Sequence, residues 1–421
     1  MHAEILAIGS EVISGQLLDT NTQWLSRHLE ELGIRVLYHS SVGDESGPLT
    51  EAFRHAIDRA DLIISTGGLG PTADDLTREA LAQAVGQPLV LNEQALGQIR
   101  EMFARRKREM PPQNQRQALF PAGSRVVHNP HGTAPGIELD VPRPAAAPAR
   151  VIALPGVPAE MRDMWHDSVA ASLRQFGAGQ RIIRHKQIKC FGVGESHLEA
   201  LLPEGFFQQQ SPRVGINVSQ TTIILRIAAE GADEQECYAV MEPVIATIHR
   251  CLGSLVFGED DEELQHAVVR LLRQRQKTVA VAEWGTAGLI TQWLGDVPAA
   301  AGCFLGGVTV PNETALKNVL AVPSEPLGSH EDQAATAPSE LVQAMAAGCR
   351  ERFGADYALA VGPFPGFDPA AAQPKPVCFA LAGPTAVKVK QIPFAGHPAT
   401  LKVFCAKYAL NLLRLTLMEP S

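Results

Sequence analysis

No stretch of about eighteen consecutive apolar residues occurs in this chain, so no segment is suited to cross a bilayer as a helix. No basic and apolar leader pattern opens it, and the expectation is a cytoplasmic protein with no membrane partner. No CxxC pair occurs among the seven scattered cysteines, Cys190, Cys237, Cys251, Cys303, Cys349, Cys378 and Cys405. Their odd number and wide spacing argue against a disulfide framework or a zinc site and leave buried thiols as the simplest reading. Positive charge is also short: 36 lysines and arginines face 45 aspartates and glutamates, and the net charge of -9 gives no general attraction to polyphosphate. The one basic cluster, Arg105, Arg106, Lys107 and Arg108, falls on an expected helix, where a solvated face accounts for it.

What is there is length and pattern. A chain of 421 residues, 45% of them hydrophobic, can bury two or three cores. Up to about residue 170, short apolar β-type runs ("EILAIGS", "RVLYHSSV", "DLIIST", "RVIALPG") alternate with amphipathic stretches ("NTQWLSRHLEELG", "LTEAFRHAIDRA", "EQALGQIREMFARRKRE"). That alternation predicts a parallel sheet covered on both faces, with ligands at the carboxyl ends of its strands. The stretch "DVPRPAAAPAR" (140–150) lies between two strand candidates and reads as an extended hairpin. Beyond it, residues 176–256 read as a small α+β module, and a third unit opens near the acidic "GEDDEELQHAVVRLLRQRQ", whose first turn suits a helix N-terminus.

The loop "STGGLGPTADDLTREA" (65–80) follows a strand and joins flexible residues to two like charges. Gly67, Gly68 and Gly70 permit positive φ and close backbone approach, Thr72 and Thr77 offer hydroxyls, and a helix expected from near Asp74 would aim free N–H groups at an anion. Asp74 and Asp75 would repel that anion unless a divalent metal bridges them. Taken alone, the loop fits equally a turn in which Thr72 or Asp74 caps the helix. Three other loops bear on the choice: "AIGSEVISGQLLDTN" brings Gly9, Glu11, Asp19 and Asn21 to the same edge, "SVGDES" adds Asp44, and "ALPGVPAEM" adds Gly156 and Glu160. Four such loops at strand carboxyl ends favour one shared site.

"GSEVISGQLLDTN", "STGGLGPTADDLT", "NPHGTAPG" and "LPGVPAEM", in this order, resemble the CinA family, named for competence-damage-inducible protein. The resemblance implies an α/β chain in three parts. These are a three-layer amino-terminal domain (1–175) similar to the molybdopterin-binding fold of MoaB, MogA and MoeA, a KH-like α+β middle module (176–256), and an α/β nicotinamide mononucleotide deamidase-like domain (257–421). It also implies metal-dependent cleavage of ADP-ribose, with a divalent cation of the Mg2+ or Co2+ type and K+ as a further candidate, and a homodimer. In these terms Asp44 and Asp75 are the candidate catalytic residues, and Asp74 and Asp75 the metal ligands. Gly9, Glu11, Asp19, Asn21, Gly67, Gly68, Gly70, Thr72, Thr77, Gly156 and Glu160 are expected to bind the nucleotide. Asp74 stands where the cofactor-synthesis relatives usually carry arginine, which argues against molybdopterin chemistry itself.

The third unit departs from the family. Trp284 occupies the serine position and Gly285 the cysteine position, Ala287 replaces the first glycine, and Thr286 and Gly288 remain. Tryptophan cannot serve as the hydroxyl nucleophile of an amide hydrolysis. Pro311 stands for tyrosine, Leu316 for lysine with Lys317 one place beyond, Gly362 and Pro363 for threonine and glycine, and Pro398 for arginine. Deamidation is therefore expected to be lost, and Trp284, Phe364 and Phe367 are read first as core. Two further readings are a nucleotide- or pterin-binding sensor without turnover and a nucleic-acid-associated competence protein. The second is weakened by charge and by "FGVGES", which lacks the GxxG spacing of a KH loop.

Overall fold

The computed structural model describes residues 1–144, 146–179, 181–320, 337–366, 375–394 and 396–419. They form two compact units, one of residues 1–184 with 229–240 and one of residues 185–228 with 241–421. In the first, β1 (His2–Ile8), α1 (Ser10–Ile13), α2 (Thr20–Glu31), β2 (Arg35–Val42), α3 (Ser46–Arg59), β3 (Leu62–Thr66), α4 (Thr77–Val85), β4 (Leu89–Leu91) and α5 (Glu93–Arg105) lead to a 3-10 helix at Pro112–Ala118. Then come β5 (Leu119–Pro121), β6 (Arg125–Val127), β7 (Gly136–Arg143), β8 (Ala146–Leu154), α6 (Pro158–Met164), a π-helical turn (Trp165–Val169) and α7 (Ala170–Gln175).

The main sheet has the order β2-β1-β3-β8-β7-β6. Its strands alternate between two cores, as a sheet covered on both faces requires. Ala3, Ile5, Leu62, Ile64, Ile152 and Leu154 pack with Leu25, Leu29 and Trp165, while Leu6, Ile8, Ile63, Val151 and Ala153 pack with Phe53, Leu81 and Leu96. The expected three layers are present. The expected parallel pairing needs correction: it holds for β2, β1, β3 and β8, but β7 runs against them and pairs antiparallel with both β8 and β6. The hairpin expected over 140–150 is the reason, since consecutive strands joined by a short turn can pair only antiparallel. One consequence matters for the site. Val127 pairs with Gly136 and Ile137 with Ala153, so the loop between β6 and β7 shares an edge with the loops that leave β1, β2, β3 and β8.

Two helix bounds also differ from expectation. Helix α4 begins at Thr77, not near Asp74, because residues 71–74 form turns and Leu76 is the N-cap, with no side-chain cap. Neither Thr72 nor Asp74 caps it. Helix α5 ends at Arg105, so only the first residue of the basic cluster is helical.

The middle segment holds β9 (Ile182–Cys190), α8 (Glu195–Ala200), β10 (Arg213–Ser219), β11 (Thr222–Gly231), α9 (Glu234–Leu252) and β12 (Val256–Glu259), with sheet order β10-β11-β9-β12. The rest comprises α10 (Leu264–Arg275), β13 (Val279–Glu283), α11 (Leu289–Gly295), β14 (Phe304–Thr309), α12 (Glu313–Leu320), α13 (Ala337–Phe353), β15 (Tyr357–Val361), β16 (Pro376–Ala382), β17 (Val387–Pro393) and α14 (Pro398–Met418). Its sheet, β14-β13-β15-β16-β17, again splits its side chains between two cores: Val279, Val281, Leu359 and Val361 on one face, Ala280, Ala282, Ala358 and Ala360 on the other. All seven cysteines are unpaired, and all but Cys251 are buried. Among the described residues no helix is long and apolar enough to cross a membrane.

Ala287, at the place where glycine is expected, has φ 49°. The left-handed region costs a residue with a Cβ about 1 kcal/mol. Ala287→Gly is expected to stabilise its unit by about 1 kcal/mol, read as a higher denaturant midpoint at unchanged slope. An unchanged midpoint would show that the strain is absent.

Candidate functional site

The loops at the carboxyl edge of the first sheet are fastened to one another. The Gly9 amide donates to the Val42 carbonyl at 3.0 Å, and the Ser10 amide and hydroxyl donate to Asp44 Oδ2 at 2.7 and 2.8 Å. Asp44 therefore joins the loop after β2 to the loop after β1. Glu11 is exposed on α1, with its carboxylate 2.8 Å from where a Cβ on Gly9 would lie. Asp19 is the N-cap of α2, its Oδ1 accepting the Thr22 amide at 2.9 Å. Asn21 is buried and donates from Nδ2 to Thr66 Oγ1 at 3.0 Å and to the Gly156 carbonyl at 2.8 Å, which ties the end of β3 to the end of β8. Its Oδ1 is a buried acceptor with no protein donor among the described residues.

The glycine turn has a definite polarity. Gly67 and Gly68 adopt φ 110° and 66°, and a Cβ on either would lie 2.1 Å from the Ile8 carbonyl or 2.2 Å from Thr77 Oγ1. Thr77 donates its hydroxyl to the Gly67 carbonyl at 2.7 Å and its amide to the Gly68 carbonyl at 3.2 Å. In a trans peptide the N–H points opposite to the C=O. The amides of Gly68 and Leu69 are thus turned away from α4, and among the described residues they have no acceptor. Two successive amides of this kind are the donors that an anion-binding nest uses; Gly68 is partly exposed and Leu69 is 1% exposed. Gly156 lines the turn from β8, where a Cβ would lie 3.4 Å from Gly67 Cα.

Asp75 organises the rest of this loop. Its Oδ1 accepts the Gly70 amide at 2.8 Å and its Oδ2 the Thr72 amide at 2.9 Å, and the Thr72 hydroxyl donates to the same Oδ2. A Cβ on Gly70 would lie 2.4 Å from that carboxylate. Asp74 is exposed. The Thr72 hydroxyl, its own amide and the charge of Arg116 hold its carboxyl below the ordinary carboxylate range.

Sequence reasoning missed the cations that brace the turn. Arg78 is fully buried and donates from Nη1 to the Leu69 carbonyl at 2.8 Å and from Nη2 to the Gly70 carbonyl at 2.7 Å. Burial lowers its pKa. Arg116, on the 3-10 helix, donates to the Thr72 carbonyl at 2.7 Å and to Glu79 Oε1 at 2.8 Å, and Gln117 reaches the Leu69 carbonyl at 3.2 Å. The local signal was "DDLTREA", in which an arginine follows the helix start; a helical arginine reads by default as solvated.

Glu160 works on another loop. Its Oε2 accepts Asn129 Nδ2 at 2.8 Å, while Asn129 Oδ1 accepts the His131 and Gly132 amides at 3.1 and 2.7 Å. The acids are thus spread over four loops, Glu11 and Asp19 after β1, Asp44 after β2, Asp74 and Asp75 after β3, and Glu160 after β8. Among the described residues no group of three or more His, Cys, Asp or Glu is gathered to hold a metal. The residues present do not form an all-protein metal cage.

Comparison with known proteins bears on the family and the fold. Residues 4–175 match the family model of a probable molybdopterin binding domain, residues 185–258 that of the damage-inducible protein CinA KH domain, and residues 261–417 that of the CinA C-terminal domain. A protein of Symbiobacterium thermophilum, provisionally named a competence-damage inducible protein, is 41% identical over 389 residues, covering 91% of this chain and 89% of its own. The chain belongs to the CinA family. A CinA-like protein of Crocosphaera subtropica is 37% identical over 362 residues, with 86% of this chain and 85% of its own covered. The crystal structure of the protein CinA from Thermoplasma acidophilum shares 34% identity, covers 42% of this chain and 98% of its own, and has a TM-score of 0.37.

In the CinA C-terminal domain the corresponding edge is filled. Trp284 is partly buried against the Ala280 and Leu316 core, and Phe364 packs on the opposite one. A Cβ on Gly285 would lie 2.3 Å from the Phe364 ring and 2.8 Å from the Gly362 carbonyl. Leu316 is 2% exposed and occupies the inward position of α12, whereas Lys317 is exposed and offers no rescue. Pro398 opens α14 behind its N-cap His397. Phe367 lies outside the described residues. Burial pushes the Cys190, Cys349 and Cys405 thiols up to about 12, so none of these is a thiolate near neutral pH.

Gly68→Ala tests the turn. The left-handed φ and the collision with Thr77 together are expected to destabilise the first unit by about 2 kcal/mol, measured by denaturant unfolding. Stability equal to the parent would contradict the described packing.

Proposed function

We propose that the first unit binds a nucleotide through its diphosphate at the carboxyl edge of the sheet and hydrolyses ADP-ribose to AMP and ribose 5-phosphate. The observation that carries this reading is the nest of Gly68 and Leu69 amides, fixed because Thr77 and Arg78 take the carbonyls of the same turn. In the hydrolysis a water oxygen bonds to one phosphorus, the bridging P–O bond breaks, and the water proton leaves to a base. The Gly68 and Leu69 amides hold a nonbridging oxygen and gain strength as its charge grows. Asp44, whose Oδ2 is fixed by Ser10 while Oδ1 has no protein donor among the described residues, is the residue assigned to accept the proton. Asp74 and Asp75 are the residues that would hold a divalent cation, which would supply charge neutralisation.

A second reading is binding without turnover. It is favoured by the fact that Asp44 and Asp75 already accept hydrogen bonds from their own loops and that the acids are not gathered. For the C-terminal domain we propose that deamidation is lost, since Phe364 covers Gly285 and leucine replaces the lysine at 316.

Purified protein with ADP-ribose and Mg2+ should release AMP, and Asp44→Asn, folded by its melting curve, should release it about 100-fold more slowly. Binding without AMP release would favour the second reading, and no binding would remove both. Nicotinamide mononucleotide should yield no ammonia with the parent or with Trp284→Ser, because the serine would still lie beside the Phe364-covered position. Ammonia release by the parent would overturn the loss.

A further inference from the structure

The basic run at 105–108 is solvated, as expected, but only Arg105 lies on the helix. Arg105 pairs with Glu101 at 2.6 Å on the last turn of α5. The helix then closes through Lys107, whose amide donates to the Ala104 carbonyl at 2.9 Å and whose φ is 54°, and through the Arg108 amide on the Phe103 carbonyl at 3.0 Å. That closure normally employs glycine. Lysine therefore holds a left-handed position that glycine would hold with less strain. Such outliers persist where the rest of the structure, or function, imposes them.

The run also has a direction. Arg106 Nη2 donates to the His131 carbonyl at 2.7 Å, on the β6–β7 loop that Glu160 fixes through Asn129. About ten residues on, Arg116 and Gln117 hold the Thr72 and Leu69 carbonyls of the glycine turn. Residues 106–117 therefore form a strap anchored at the β6–β7 loop and at the Leu69 and Thr72 carbonyls of the glycine loop. Between the anchors, Lys107 and Arg108 are exposed and among the described residues have no acidic partner, and Glu109 is the single acid beside them. The edge itself is acidic, with Glu11, Asp44, Asp74, Asp75 and Glu160 on its loops. An incoming diphosphate meets repulsion there that amides alone offset poorly.

We propose that Lys107 and Arg108 are the specificity-determining cations of this site and favour ligands with two linked phosphates over those with one. The proposal rests on the reading that the edge binds a phosphorylated nucleotide. A single phosphate is satisfied at the nest; a second phosphate reaches toward the strap, where charge-assisted contacts to lysine and arginine become available.

The test is calorimetric titration of the full chain with ADP-ribose and with AMP, for the parent, Lys107→Gly, and Lys107→Gly combined with Arg108→Ser. Lys107→Gly relieves the left-handed strain, so its melting temperature should be equal or higher, and a binding defect then cannot be ascribed to misfolding. The double variant should bind ADP-ribose about tenfold more weakly, with AMP affinity changed less than about threefold. Its ADP-ribose affinity should also depend less steeply on salt than that of the parent. Unchanged ADP-ribose affinity in the double variant, or an equal loss for both ligands, would overturn the strap's role and leave the site reading standing. A parent that binds neither ligand would overturn both.

Discussion

The site depends on one division of labour within a short turn: the carbonyls of residues 67–70 are claimed by α4, so the amides that share their peptide planes face the other way. Thr77 takes the carbonyls of Gly67 and Gly68, and Arg78 takes those of Leu69 and Gly70. Asp75 then takes the Gly70 amide and leaves those of Gly68 and Leu69. The arrangement requires glycine twice, because a side chain at 67 or 68 would strike the Ile8 carbonyl or the Thr77 hydroxyl. It also explains why a fully charged arginine is buried. Its two terminal nitrogens are matched by carbonyl oxygens, while Nε has no partner among the described residues, and removing the side chain would leave the Gly70 carbonyl without its donor.

The C-terminal CinA domain shows the reverse outcome on a similar α/β scaffold. Its sheet keeps two well-packed cores, yet the edge after β13 and β15 is occupied by the protein itself. The loss of small polar residues at 284 and 285 and the seating of Phe364 over Gly285 are coupled, since any side chain at 285 would displace the ring. Folding survives because an aromatic ring fills a hollow as well as a ligand does. Ala287 keeps the left-handed backbone that glycine serves in the family, so the turn has outlived the residue suited to it.

Much of this was legible in the sequence. The alternation of β-type runs with amphipathic stretches marks the layers, and it places Gly9, Asp44, Gly67 and Gly156 on one edge, because parallel strands end together. What stayed hidden depends on partners far along the chain. No local signal announces that Arg78 faces inward, that Arg116 returns to Thr72, or that Phe364 will sit over a glycine about eighty residues earlier. The helix start was misplaced because aspartate, usually a good cap, is used at 75 to close its own loop. The basic run was misread because charge density on a helical pattern says nothing of where the helix stops; a lysine at positive φ becomes visible only in three dimensions.

The most direct test of this account is a crystal structure of the full chain with ADP-ribose and Mg2+. The account predicts phosphate oxygens at about 3 Å from the amides of Gly68 and Leu69, with the cation beside Asp74 and Asp75. Diphosphate density seated elsewhere, against Trp284 for example, with these two amides still without an acceptor, would contradict it.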